Sequence, residues 1–351
     1  MRKKFLIKVF FLALAISSIP LSAIYFDTFN IFHWKNIRFT KADPNKNYIK
    51  TQYIVHNPKK FNAFVFGSSR VGAIPKDALP KILGGDQLRW YNMTNPHAIP
   101  SEHYYAIQTF EKNGVDIKMI LLAFDDISMF SAIEHHYNLL LTIPYKVYEE
   151  NKFNFYKPYL IKFTAPSIMK EVLLYDPEKY KDKTEAFYSY GDTWGSDFSL
   201  TENPKMEQFK SFHTSTYTQK NAHMDIEKIS KLCQEKGIKL VLFTNPLYKA
   251  TYLDSVRDGY FDFLRLVANS CEFYNFSTLN NYTLGERYFL EGSHYCPALG
   301  LIIEKYLFGS EEDRQQIRDE AGDELFGVKV SSENVDFVIG ELKKQLEKLA
   351  E

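Results

Sequence analysis

An uncharged apolar run from Val9 to Phe26 follows the basic start Met1-Arg2-Lys3-Lys4, and it limits what this chain can become more than any other feature. Its length is close to the roughly 20 residues that span a bilayer core. A lone segment in lipid must satisfy its own backbone, so the run predicts an N-terminal transmembrane helix. Lys8 can snorkel to the cytoplasmic interface, and no Lys or Arg follows until Lys35. The positive-inside bias therefore places the N-terminus in the cytoplasm and the large domain outside, a single pass of the cytoplasmic membrane. Leu21-Ser22-Ala23 resembles a signal-peptidase site, and cleavage there would give a secreted protein. The apolar run continues through Ile24, Tyr25 and Phe26, which favours an uncleaved anchor. The competing reading is a buried core helix.

The 351 residues suffice for one large domain with an insertion, or for two ordinary ones. Hydrophobic residues at 45% and charged residues at 25% match a folded globular chain and exclude wholesale disorder. Lys+Arg and Asp+Glu each number 43, so no net field draws the chain onto nucleic acid. Cys233, Cys271 and Cys296 are too few for a disulfide scaffold, and no CxxC pair suggests zinc. Outside the cytoplasm an odd count leaves one thiol free or bonded to another molecule. Pairing of Cys271 with Cys296 stays open.

Beyond the apolar run, strands alternate with helices. Asn62–Phe66 (NAFVF) stops at Gly67-Ser68-Ser69, like a buried parallel strand feeding a loop. Leu88–Met93 is a weaker strand, and Ile117–Phe124 is the strongest, ending in Asp125-Asp126. Ile238–Thr244 and Glu272–Phe276 complete the set. Helices are predicted over Ser101–Asn113 with Ser101 as N-cap, Met224–Glu235 before Gly237, Asp254–Ala268, and Pro297–Phe308. This order implies a three-layer α/β/α domain on a parallel sheet.

The alternation fails between Ser128 and His223, where helical fragments such as Ile168–Leu174 and a Gly/Asp/Ser-rich piece, Tyr190–Ser199, occur. A connection this long reads as an insertion or lid walling the active-site mouth. Ser332–Glu351 is an amphipathic helix with Val338, Leu342, Leu346 and Leu349 on one stripe. The predicted division is an anchor or signal segment at 1–27, a connecting segment at 28–61, the α/β domain at 62–310 carrying the 128–223 insertion, and a helical extension at 311–351.

Chemistry is expected at two places. Open α/β sheets bind ligands at the carboxyl ends of their strands, where Gly67-Ser68-Ser69-Arg70 sits. A serine there exposes its hydroxyl, and nearby backbone N–H groups can hold an oxyanion. Glu291-Gly292-Ser293-His294 lies just before the Pro297 helix. Acid and histidine three residues apart in a turn can converge, the histidine acting as base and the acid orienting it. An α/β-hydrolase would need G-x-S-x-G, and Gly67-Ser68-Ser69-Arg70-Val71 lacks the second glycine.

On these residues the chain resembles the SGNH (GDSL-like) hydrolase superfamily over Asn62–Phe308. It is most similar to the membrane-anchored branch that includes teichoic-acid D-alanylation and alginate O-acetylation proteins. Tyr25-Phe26-Asp27-x-Phe29-x-Ile31-Phe32 after the anchor adds to the likeness. The resemblance implies Ser69 as nucleophile, with Ser68 replacing the family's Asp, and Glu291 with His294 as the acid-x-x-His block. It implies a serine acyltransferase or esterase acting on an acylated glycan or cell-envelope polymer, with a membrane-bound O-acyltransferase as partner and no cofactor. Two positions depart from the pattern. The oxyanion glycine is missing from Tyr91-Asn92-Met93-Thr94-Asn95-Pro96-His97, and Asp125-Asp126 stand where the family has Asn. Asn92 and Asn95 are the replacement donors on offer. Arg70, Asp125 and Asp126 are candidates for substrate or loop binding, and Arg70 could instead form a salt bridge at the sheet edge. The alternative function is a non-catalytic scaffold that binds a glycan or the membrane partner. Glu134-His135-His136 matches no metal spacing, so no metal is expected.

Overall fold

Alternation along the strands divides their side chains between two cores, one on each face of the sheet. In β1 (Ala63–Phe66), Phe64 and Phe66 enter one core while Ala63 and Val65 enter the second. The structure is a computed structural model that describes residues 2–126, 140–162, 164–191, 193–194, 197–206 and 217–350. Glu134-His135-His136 and part of the insertion lie outside these residues.

Five strands run parallel: β1, β2 (Trp90–Asn92), β3 (Met119–Phe124), β4 (Lys239–Thr244) and β5 (Phe273–Asn275). A sixth, β6 (Val328–Val330), is antiparallel to β5, giving the spatial order β6-β5-β4-β3-β1-β2. The chain leaves β1 for β2 on one side and then crosses to β3 on the other. The β1/β3 boundary is therefore the topological switch point, where open sheets form their binding crevice. β3 is buried along its full length, as a central parallel strand must be.

The aromatic face is covered by α2 (Lys46–His56), α3 (Pro100–Lys112), α8 (Gln219–Lys236), α10 (Tyr260–Ala268) and α13 (Val335–Ala350). The opposite face takes α11 (Pro297–Phe308) and α12 (Glu311–Ala321). The result is a three-layer α/β sandwich on a mostly parallel sheet. α1 (Arg2–Phe26) stands apart: its window has mean hydropathy 2.1 and is only 6% buried, which excludes the core-helix reading. It has the form of a membrane-anchoring or signal segment.

Several elements differ from the sequence reading. Ser101 is not the N-cap of α3; Ile99 holds that position and Pro100 opens the helix, its missing N–H being no loss there. The helix expected over Asp254–Ala268 is two, α9 (Lys249–Arg257) and α10. Gly259 at φ +92° separates them, a left-handed geometry that no helix interior adopts. α8 begins earlier than expected, because Thr218 and Asn221 form a reciprocal capping box. Residues 311–351 supply an edge strand as well as helices, and α2 in the connecting segment is part of the core. The three cysteines are buried free thiols.

The insertion supplies α4 (Tyr145–Glu150), α5 (Lys152–Ile161), α6 (Pro166–Leu173) and α7 (Lys181–Ser189). Its first half packs on the segment after α1: Asn45 Nδ2 donates to Ile143 O and Tyr159 Oη, both at 2.8 Å.

Candidate active site

Gly67 permits the turn that follows β1. A Cβ there would lie 2.5 Å from Val71 Cγ1 and 3.3 Å from Ala123 Cβ, so a larger residue would force the loop off the sheet. The chain then winds into a 3-10 turn, Ser69–Ala73, and Ser68 Oγ accepts from Arg70 N–H at 3.4 Å. Ser69 leads this turn at the switch point, half-buried.

Glu291 and His294 meet because they are cross-strand partners in a small hairpin, Phe289–Glu291 with His294–Tyr295. Gly292-Ser293 forms its two-residue tip, and directly opposed side chains share a face. Ser69 Oγ lies 2.6 Å from His294 Nε2. His294 Nδ1 is hydrogen-bonded to Glu291 Oε1, and Glu291 Oε2 accepts Ser293 N–H at 3.0 Å. A carboxylate only accepts, so Nδ1 carries the proton and Nε2 is left to accept the Ser69 O–H. Burial pushes the Glu291 carboxyl up, but the His294 hydrogen bond and charge, the Ser293 N–H and Arg70 outweigh it, and the group sits below its ordinary range. The structure thus brings Ser69, His294 and Glu291 into one hydroxyl–imidazole–carboxylate chain. Such a chain can pass a proton from the hydroxyl to the ring as the oxygen attacks an electrophile.

The second half of the insertion closes over this chain. Trp194 N–H donates to Gly72 O at 3.0 Å, and its ring meets His294 edge-to-face with centroids 4.8 Å apart. Thr201 N–H and Lys205 N–H bond the carbonyls of Arg287 and Leu290 beside the hairpin. Within the insertion, the described residues 193–194 and 197–205 lie beside His294 and the hairpin, while α5 and α6 lie beside the α1 exit and α4 packs on α2 and α3.

Arg70, Asp125 and Asp126 are buried against one another. Arg70 is fully buried: Nη1 donates to Asp125 Oδ1 at 2.9 Å and to Asp126, and Nε donates to Ser293 O at 2.9 Å. Asn245 Nδ2 adds a bond to Asp125 at 2.8 Å, and Ser255 Oγ one to Asp126 at 2.7 Å. Burial alone would lower the Arg70 pKa, but the two carboxylates raise it above its ordinary value. Charges taken from water must be paired, so this cluster is spent on holding the strand ends and the hairpin tip together.

Asn92 is also committed inward, Nδ2 donating to Val71 O at 2.7 Å and Oδ1 accepting Thr94 N–H at 2.8 Å. Asn95 differs. It is buried, yet neither Oδ1 nor Nδ2 meets a hydrogen-bonding partner among the described residues. Its neighbour Thr94 donates from Oγ1 to Ser68 O at 3.0 Å, which ties this loop to the serine turn.

Lys50 on α2, fully buried, donates from Nζ to Asn92 O and Thr94 O, each at 3.0 Å, and so fixes the loop that carries Asn95. Sequence reasoning missed Lys50 because it lies in a stretch read as connector. It missed Trp194 because nothing local ties that residue to a histidine 100 positions on. Compared with known proteins, the chain matches no family model and no curated sequence.

Proposed function

We propose that the chain is a membrane-anchored serine O-acyltransferase or esterase of SGNH type, acting outside the cytoplasm on an exported or cell-envelope glycan or polyol polymer. The observation that carries this reading is the 2.6 Å contact of Ser69 Oγ with His294 Nε2, with Glu291 on the other ring nitrogen. Its position at the switch point of a parallel sheet adds support.

In this reading Ser69 Oγ attacks the acyl carbonyl while His294 Nε2 takes its proton, and Glu291 stabilises the imidazolium. In this reading the tetrahedral oxyanion is held by the Ser69 N–H, with Asn95 Nδ2 as second donor, an amide with no partner among the described residues in the loop that Thr94 ties to the serine turn. Collapse expels the donor oxygen, which leaves with the His294 proton, and the acyl group stays as an ester on Ser69. His294 next deprotonates a polymer hydroxyl or water, which attacks this ester and restores the serine. Transfer, rather than hydrolysis, follows from the resemblance, as does a membrane-bound O-acyltransferase that loads the acyl group. The uncovered apolar α1, with its basic start and the absence of cations until Lys35, supports an extracytoplasmic domain.

The test is release or transfer of acyl groups from a panel of acyl esters and acylated glycans by the full chain in membranes. Activity lost in Ser69→Ala and in His294→Ala supports the proposal. Polymer acylation undiminished by Ser69→Ala would favour the scaffold reading.

A further inference from the structure

The junction between α1 and the domain is rigid. Asp27, at φ 37°, turns the chain out of the helix, and its carboxylate accepts the N–H groups of Ile31, Phe32 and His33 at 2.7–2.9 Å. Arg38 Nη2 donates to Tyr25 O at 2.9 Å, a cation on the carbonyl end of α1. The α5–α6 corner sits beside this exit: Thr28 and Thr164 hydroxyls are 2.9 Å apart, and Phe29 and Tyr159 ring centroids 5.7 Å. Ala23 in the last full turn of α1 shares a groove with Lys162, Ala165 and Ile168. The corner is therefore level with the end of the apolar helix.

This corner exposes what an aqueous surface avoids. Ile161, Leu173 and Leu174 are 65%, 61% and 69% exposed. α5, α6 and the turn between them carry Lys152, Lys157, Lys162 and Lys170; Glu171 is paired with Lys41 at 3.5 Å, and Asp176 and Glu178 follow Leu174. Exposed large apolar side chains on a lysine-rich segment, beside the point where a spanning helix leaves the domain, match the acyl–headgroup boundary. We propose that the α5–α6 corner is a second membrane-contact surface, dipping Ile161, Leu173 and Leu174 into an anionic leaflet and fixing the height and tilt of the domain. It rests on reading α1 as a span. The same insertion reaches Trp194 over His294, so membrane contact and the roof of the site belong to one segment.

The experiment places a nitroxide at Ile161→Cys or Leu174→Cys in the full chain, reconstituted in nanodiscs of phosphatidylcholine with or without phosphatidylglycerol. Leu12→Cys in α1 and Phe337→Cys on α13, each more than 60% exposed, serve as lipid and water references. Labels at 161 and 174 should be accessible to oxygen and shielded severalfold from a nickel chelate, as at 12, and more strongly with phosphatidylglycerol. Lys157→Glu with Lys162→Glu and Lys170→Glu should remove that lipid preference. Nickel access at 161 and 174 equal to that at 337, with 12 shielded, overturns the surface alone. Nickel access at 12 overturns the span and the proposal with it. A photocrosslinker at Leu173 that captures protein in preference to lipid in native membranes assigns the corner to a protein partner instead, and also overturns it.

Discussion

Ser69 and Arg70 are neighbours in the chain and opposites in setting. The Ser69 chain ends in side chains that still see water, His294 at 24% and Glu291 at 36% exposure. The Arg70 side chain and those of Asp125 and Asp126 are 0%, 4% and 0% exposed. Both clusters join a strand end to the 291–294 hairpin, and both combine a cationic or protonatable group with carboxylates. The difference is solvent and committed valence. Every polar contact found for Arg70 is internal, so the cluster locks geometry. Ser69 and His294 keep an open side, so their proton can move. A charge beside a candidate nucleophile is thus no sign of chemistry until its burial and partners are known.

That contrast can be broken by substitution. On the proposed mechanism Ser69→Ala should abolish the acyl-enzyme and cut turnover by roughly ten-thousand-fold or more. Unfolding free energy should stay within about 0.5 kcal/mol of the parent, because a half-exposed hydroxyl holds little of the fold. Arg70→Met should do the reverse in kind. It strands two buried carboxylates and should cost about 3–5 kcal/mol in urea unfolding, with activity failing because the protein fails. Adding Asp125→Asn and Asp126→Asn should restore part of that loss. An Arg70→Met protein of full stability that binds no substrate would place Arg70 in recognition and erase the contrast.

Asn95→Ala sharpens the comparison at the loop between the clusters. If Asn95 is the second oxyanion donor as proposed, its removal should lower kcat by roughly a hundred- to a thousand-fold with KM little changed. A stability loss with kcat intact would make Asn95 structural.

The smallest effect is expected at Glu304 on α11, buried behind the serine turn. Burial pushes its carboxyl up to about 9. The unfolded chain releases this proton at an ordinary carboxyl value and the folded chain holds it, so stability is greatest below that value and declines as pH rises toward 9. Glu304→Gln should flatten this slope, gaining on the parent as pH rises from the ordinary carboxyl value toward 9, read as Tm against pH. Unchanged slope would contradict it.

Much of the fold was legible because it is written in short-range pattern. NAFVF, IKMILLAF and IKLVLFT are apolar runs with turn residues after them, and each is a parallel strand. Glu291-x-x-His294 was legible as spacing, since a two-residue hairpin tip makes that spacing a contact. Lys50 and Trp194 were not, because their partners lie 42 and 100 positions away and the sheet, not the local sequence, brings them there. The inward fate of Arg70 and of Asp125-Asp126 was illegible for the same reason. Gly259 was read through as helix because one glycine costs a helix only about 1 kcal/mol, too little to signal a break by itself.

The central claim is that Ser69 is a nucleophile activated by His294. Its most direct measurement is a fluorophosphonate probe applied to the full chain in membranes, followed by peptide mapping of the adduct. The account predicts one modified residue, Ser69, with labelling lost in Ser69→Ala and in His294→Ala while both variants stay folded. No adduct on a folded protein, or an adduct at another serine that survives Ser69→Ala, would contradict it.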